Sequence, residues 1–255
     1  MQPNEAESAG GESLLSIVVP AFNEERLLAD SLTHIVSAAA LLEQRGWKYE
    51  LIVCDNNSTD RTAEVARQAG ARVVFESINQ IGRARNRGAA GARGNWILFV
   101  DADSKPSPAL FGRMLDRIES GRVVALGTTL RFDDVDWFFG FLAWLWNVWS
   151  VTVSHMAGSF IAVEAAAFRA IGGFSNEFFV GEELDLSRRL KRWAKAQGSR
   201  RSVEVMGGVP LLTSGRKAKL YTWRESARFL GQIALSPFGT MKRKDRCDIW
   251  YDGRR

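Results

Sequence analysis

The feature that most constrains the fold is an alternation in the first hundred residues, where short runs rich in Val and Ile are each followed by a longer stretch of helical periodicity. The runs are "LSIVVPA" (15–21), "ELIVCD" (50–55), "ARVVFE" (71–76) and "NWILFVD" (95–101), with helices expected near 24–45, 59–69, 81–92 and 107–119. Buried parallel strands read as continuous apolar runs and need long crossovers, so this half is expected to be a doubly wound α/β unit. In such open sheets, ligands gather beyond the carboxyl ends of the strands. Polar residues follow the strands there: Asn23 and Glu24, then Asp55 to Asp60, then Asp101 and Asp103. No dinucleotide glycine fingerprint and no Walker-type loop follows the first strand, which argues against nicotinamide enzymes and P-loop NTPases.

A chain of 255 residues accommodates one sizeable domain, here expected over 13–215. Residues 1–12 are polar, carry Glu5, Glu7 and Glu12 without a base, and read as a disordered leader rather than a signal peptide. Residues 216–255 hold eleven Lys or Arg against four acids and read as a basic tail, either a solvated face or a patch for anionic lipid. The net charge of +5 fits a phosphate-bearing ligand as well as lipid, and no nucleic-acid partner is expected. Two cysteines, Cys54 and Cys247, are too few for a disulfide scaffold, so the expected location is cytoplasmic, with the inner face of the membrane as an extension.

From Trp137 to Val163 there is no Asp, Glu, Lys or Arg, and "WFFGFLAWLWNVWSVTV" carries four of the nine tryptophans. Three placements compete: a buried or oligomer-forming helix, which leaves a homodimer open, a helix in the lipid headgroup layer making a peripheral membrane contact, and a membrane span.

The pair Asp101 and Asp103 ends a run of apolar residues. On an extended strand end the two carboxylates point to one side, where like charges resist ionising together unless a cation lies between them. Oxygen-only ligands favour Mg²⁺ or Mn²⁺, with phosphate oxygens and water completing the shell. An isolated Asp-x-Asp is also an ordinary turn or cap.

The ordered set "VVPAFNEE", "DNNSTD", "ARNRGAAGARGNWILFVDADS", "AVEAAAFRAIGGF" and "FVGEELDLSRRL" resembles glycosyltransferase family 2, a group of inverting enzymes with the GT-A fold. The resemblance covers roughly residues 14–195. It implies a Rossmann-like, mostly parallel sheet flanked by helices, with a nucleotide-binding half over 13–104 and a less regular acceptor half over 105–215. It also implies a nucleotide-diphosphate sugar donor (UDP or GDP) and a glycan or lipid-linked acceptor. Residue by residue, the resemblance implies that Asp55 contacts the base and that Asp101 lies by the ribose or metal. Asp103 would ligate the metal, and Pro20, Ala21, Asn23 and Glu24 would line the nucleotide. Arg85 and Asn86 match an Ala-Arg-Asn element near the donor.

Local roles compete with these. Asn23 suits a helix N-cap with Glu24 and Glu25 in the first turn, and Asn57 with Asp60 suits a capping arrangement. For the catalytic base, relatives more often have Gly-Glu-Asp where this chain has "GEELDL". With a helix starting near Gly181, Glu183 is expected on the face of Leu186 and Leu190, turned to the cleft, while Asp185 looks toward Arg189. Glu183 is therefore the expected base and Glu182 the runner-up. Many relatives place a His near the metal, but none follows His155 here, and Arg216 and Lys217 in "LLTSGRKAK" suit either donor phosphates or the surface. His34 reads as structural, and His155, before "MAGSF", as a candidate on the acceptor side. Two rivals remain: a sugar-1-phosphate nucleotidyltransferase, and a GT-A-like membrane-surface scaffold without activity.

Overall fold

The computed structural model describes residues 13–216, except 157, together with 241–243. The expected leader 1–12 and nearly all of the expected basic tail lie outside the described residues.

Eight strands form one sheet in the order β3-β2-β1-β4-β7-β6-β8-β5. The first half follows the expected rhythm: β1 (Leu14–Ala21), α1 (Leu28–Gln44), β2 (Lys48–Asp55), α2 (Thr62–Gln68), β3 (Arg72–Phe75), α3 (Ile81–Ala90) and β4 (Trp96–Val100). β1 lies between β2 and β4 and runs parallel to both, and β2 runs parallel to β3. Strands β1 and β4 are buried nearly throughout, which is why their sequences are unbroken apolar runs rather than alternating ones.

The second half adds β5 (Ser104–Lys105), α4 (Pro108–Glu119), β6 (Val123–Phe132), α5 (Trp137–Val153), β7 (Phe160–Glu164), α6 (Ala165–Ala170), α7 (Glu182–Ala196) and β8 (Ser202–Thr213). β7 is antiparallel to both β4 and β6, whereas β8 runs parallel to β6. The parallel half thus passes into a mixed half at β7.

Alternation along the central strands feeds two apolar layers. Ile17, Val19, Leu98 and Val100 pack with α1 and α4, while Val18, Ile97 and Phe99 face the layer that includes Phe168, Phe174, Leu186 and Leu190. Helix α1 buries Leu28, Leu32, Ile35, Ala39 and Leu42, a stripe that fits one helical face. Helix α3 lies so close to β1 that a Cβ at Gly88 would stand 2.3 Å from Val18 Cγ1, so only glycine permits this approach. The glycine-rich "ARNRGAAG" is explained by packing, and it brings Arg85 to the end of the sheet.

Helix α5 corrects one expectation. It is held to the body by Asn147, whose side chain accepts from Leu130 N at 2.9 Å and donates to Leu130 O at 2.7 Å, and by buried Ser150. Its other side is open: Trp137 is 83% exposed, and Phe141, Trp144, Leu145, Val148 and Trp149 are also exposed. It is not an ordinary buried helix within this chain. Among the described residues no helix is long and apolar enough to cross a membrane.

Candidate active site at the carboxyl edge of the sheet

The loops after β1 and β2 are stitched together. Asn23, at φ +52°, donates its N–H to Ser58 Oγ (3.0 Å), and its Oδ1 accepts from Thr59 N (2.8 Å). Glu24 N donates to Thr62 Oγ1 (2.8 Å), Glu25 N to Asp60 Oδ2 (3.1 Å), and Arg61 N to Glu25 Oε2 (3.2 Å). Asn23 is therefore not the N-cap of α1, whose cap position is Leu27; its amide joins the two loops instead. Asp60 holds Thr62 N at 2.9 Å, while Asn57, at φ +63°, bonds Asn79 and takes no part in that cap. Pro20 and Ala21 close β1, and Asn56 N donates to Ala21 O at 2.8 Å.

Asp55 is buried at the end of β2 and accepts from Ser58 N at 3.0 Å through Oδ1. Its neighbour Asn56, missed in the sequence, is the hub of this edge. It donates to Ile78 O (2.6 Å) and Glu76 O (3.2 Å) and accepts from Gln80 N (3.0 Å), and Gln80 in turn donates to Phe178 O and Asn176 O. Three segments far apart in sequence meet on those two amides. A buried polar residue next to an acid in "DNN" was the available signal.

Asp101 and Asp103 do not lie on an extended strand end as expected. β4 stops at Val100, and Ser104 N reaches back to Asp101 O at 3.1 Å, so the pair sits on a tight turn. Asp101 Oδ1 accepts from Arg85 Nη2 at 2.8 Å, and its N–H donates to Ser159 O at 3.2 Å. Asp103 Oδ1 accepts from Thr213 Oγ1 at 3.4 Å, at the end of β8.

Arg85 is 2% exposed, with Nη1 on Glu182 Oε1 at 2.8 Å and its guanidinium 5.2 Å from the Phe174 ring centre. Burial opposes its charge, but Asp101, Glu182 and Glu183 more than offset that and raise its pKa. Asn86 is equally committed: it clamps Phe174 by its N–H and C=O at 2.9 and 2.8 Å, beside Gly173 at φ +71°. Both residues of the Ala-Arg-Asn element thus bond to protein at the end of the sheet where the resemblance implies the donor.

Helix α7 starts where expected, but its buried stripe takes Glu182 in place of Glu183. Gly181, at φ +76°, sets its first residue as Glu182, and the buried stripe is Glu182, Leu186, Leu190 and Ala194. Glu182, not Glu183, shares the inward face with Leu186 and Leu190. Burial and the neighbouring Glu183 charge push the Glu182 carboxyl up to about 8, against the pull of Arg85. Glu183 is half-buried and accepts from Gly158 N at 3.4 Å, next to the Ser159 that contacts Asp101. Asp185 pairs with Arg189 at 2.6 Å, as read from the spacing.

Arg216 grips both oxygens of Glu24, each at 3.0 Å, while Gly215 N bonds Asp133 and Ser214 N bonds Asp103 O at 3.2 Å. The segment 214–216 thereby crosses from the Asp-x-Asp turn to the β1 loop. His155 stacks on Trp149, with ring centres 5.6 Å apart and planes 9° apart, and neither ring nitrogen has a hydrogen-bond partner. Burial, then Lys191 and Arg188, lower its pKa. His34 bonds Asp30 O within α1 and stands apart from this edge.

No group of three or more His, Cys, Asp or Glu side chains suited to a metal occurs among the described residues. The donor set still fits Mg²⁺ or Mn²⁺, which take one or two carboxylates and leave the other positions to phosphate and water. Asp101 Oδ1 accepts from Arg85 Nη2 at 2.8 Å and Asp103 Oδ1 from Thr213 Oγ1 at 3.4 Å, so a cation at this turn would share both carboxylates with protein partners.

The family model described as "Glycosyl transferase family 2" matches residues 16–172. The uncharacterized glycosyltransferase EpsJ of Bacillus subtilis is 32% identical over 119 residues, 45% of this chain and 33% of EpsJ. The undecaprenyl-phosphate 4-deoxy-4-formamido-L-arabinose transferase of Edwardsiella ictaluri is 31% identical over 137 residues, 49% of this chain and 39% of that protein. The matches thus span little more than a third of these relatives. Among solved structures, mannosyltransferase PcManGT from Pyrobaculum calidifontis, in complex with GDP-Man and Mn²⁺, superposes with a TM-score of 0.64 at 17% identity, covering 87% of this chain and 61% of that one. Glucosyl-3-phosphoglycerate synthase from Mycobacterium tuberculosis, with Mn²⁺, UDP and phosphoglyceric acid, gives 0.61 at 19% identity, covering 89% and 78%. The fold is that of the GT-A glycosyltransferases. With the family model matching more than half of its length, the chain belongs to glycosyltransferase family 2 and is a transferase.

Proposed function

We propose that the protein transfers a sugar from a nucleoside-diphosphate donor, UDP or GDP, to an acceptor hydroxyl or phosphate, including a lipid-linked one, with inversion at the anomeric carbon. One observation carries the assignment of roles: of the two adjacent glutamates at the head of α7, Glu182 is sealed against Arg85 while Glu183 stays open beside Gly158. Only the open carboxylate can meet an acceptor. Gly158 N–H donates to Glu183 and Asp101 N–H donates to Ser159 O, so the open carboxylate and the Asp-x-Asp turn meet at two consecutive residues.

In this reading the stitched loops around Asn23 and Glu24 and the buried Asp55 receive the nucleoside. Asp103 and Asp101 would hold Mg²⁺ or Mn²⁺, which when bound offsets charge on the leaving diphosphate. Glu183 takes the proton from the acceptor hydroxyl as that oxygen bonds to the anomeric carbon. The bond from that carbon to the diphosphate breaks, and the nucleoside diphosphate leaves with the electron pair. A phosphate acceptor is already anionic and needs no proton removed by Glu183. Names of relatives such as the Pyrococcus furiosus dolichol-phosphate mannosyltransferase, 27% identical over 119 residues, support a lipid-phosphate acceptor. Titration calorimetry with UDP and GDP, with and without Mn²⁺, followed by a screen of their sugars, tests the reading. Absence of any metal-dependent nucleotide binding would overturn it in favour of an inactive scaffold.

A further inference from the structure

Helix α5 poses a question the transfer reaction does not answer. Phe141, Trp144, Leu145 and Val148 stand at i, i+3, i+4 and i+7 on its outward face, and Leu142, Trp146 and Trp149 widen the exposed arc on one flank. Five aromatic rings that each present 39–83% of their surface expose on the order of 500 Å² of aromatic area, already within the range of the largest patch on a typical monomer. The outward direction is fixed, because Asn147 is bonded on both sides to Leu130.

The surroundings of the helix are polarised. At its C-terminal end, Lys191 Nζ donates to Val153 O at 2.6 Å. Beside it, Val153, Ser154, Lys191, Lys195, Arg201 and Ser202 line a cavity of about 510 Å³. Its charged lining residues are Lys191, Lys195 and Arg201, of which Arg201 is paired with Glu164 at 2.7 Å; burial, then Arg188, lower the Lys191 pKa. At its N-terminal end are acids, of which Asp136 caps Phe139 N and Asp133 bonds Gly215 N.

We propose that α5 docks on an anionic phospholipid surface, its Trp-rich arc in the headgroup layer and the Lys191–Lys195–Arg201 end against lipid phosphate. A second copy is the weaker fit. A helix-to-helix seam covers a narrow stripe and would leave Trp146 or Trp149 in water, whereas a bilayer interface accepts the whole arc and favours tryptophan. The acids keep the N-terminal end shallower, so the helix meets the surface tilted, with its C-terminal end deeper. That end leads within five residues to Gly158 beside Glu183, so a membrane-borne acceptor would arrive at the candidate base. The surface itself lies outside the catalytic edge and does not depend on the reaction proposed above.

The test is co-sedimentation of the full chain with vesicles of phosphatidylcholine alone or with phosphatidylglycerol, together with quenching of tryptophan fluorescence by brominated lipid. Binding is expected to be about tenfold weaker on phosphatidylcholine alone. It should be lost in a W144E/L145E variant, and K195E should erase the preference for phosphatidylglycerol. Circular dichroism and Mn²⁺-nucleotide calorimetry on the same variants separate a misfolded protein or a failed donor assignment from a failed docking surface. Equal binding to both vesicle types, binding that survives W144E/L145E, or a lipid-independent dimer would each overturn the proposal. So would no binding at all.

Discussion

Replacing Glu182 by Gln offers the sharpest physical test of the site. One guanidinium, Arg85, is asked to balance Asp101 and Glu182 by direct bonds at 2.8 Å, with Glu183 close enough to act through space. Three carboxylates around one buried cation leave an excess of negative charge, and the cheapest relief is to protonate the most buried one. Glu182 is 3% exposed, and its carboxyl is pushed from 4.5 up to about 8. Because the folded value lies above the unfolded one, the stability linked to this group is fully present below pH 4.5 and is lost as pH rises through 8. A shift of that size corresponds to about 5 kcal/mol at most, developed between those two pH values. Glutamine keeps the size and an acceptor oxygen for Arg85 Nη1, and it cannot ionise. The expected outcome in urea unfolding followed by circular dichroism is near-equal stability of E182Q and its parent at pH 5. At pH 8 and above, E182Q should be the more stable by several kcal/mol. If E182Q is instead less stable by about 3–5 kcal/mol across the whole range, Glu182 is a charged partner of Arg85 and the reasoning fails.

Further outcomes follow from the same geometry. E183Q should bind nucleotide as its parent does while turnover with a hydroxyl acceptor falls by about 10² to 10⁴, and near-normal transfer would reject the role given to Glu183. D103N should lose the Mn²⁺-dependent part of nucleotide binding in calorimetry, and retention of that part would reject the role given to Asp103. Burial, then Glu76 and Asp55, push the Cys54 thiol up to about 12, so in a C247S background iodoacetamide at pH 8 should modify the protein only after unfolding. Glu50 and Asp60 are held below the usual carboxylate range: burial opposes this, but the Ser16 hydroxyl with Arg93 and Arg72, and Thr62 with Glu25 N–H, outweigh it. Their contribution is present above pH 4.5 and is lost as pH falls, so E50Q and D60N should cost stability at pH 7 and little at pH 3 in thermal unfolding.

The parallel half was legible because central strands buried on both faces leave unbroken runs such as "SIVV" and "WILFV", and their ends fell within a residue or two of those read. What eluded the sequence depends on contacts between distant positions. Arg85 meets partners 16 and 97 residues away, and nothing in "ARN" announces that both of its ends are already engaged. The heading of Glu182 and Glu183 turned on a single residue of helix phase, fixed by the left-handed Gly181, which periodicity locates only approximately. Asp101 and Asp103 looked like a strand end because pattern cannot see where a ladder stops. The exposure of α5 likewise depends on which neighbours cover it, and an uncharged segment reads alike whether buried or bare.

The hydrogen bonds that join the loops after β1 and β2 each run from a backbone N–H of one loop to a side chain of the other, so each loop holds the other's main chain. Under the proposed function, a donor at that edge would meet two cross-braced loops, with little ordering entropy left to lose on contact. Selectivity among bases would then come from rigid mismatch rather than from adaptation. Cutting one stitch, as in N23A, would loosen recognition of every nucleotide together instead of exchanging one preference for another.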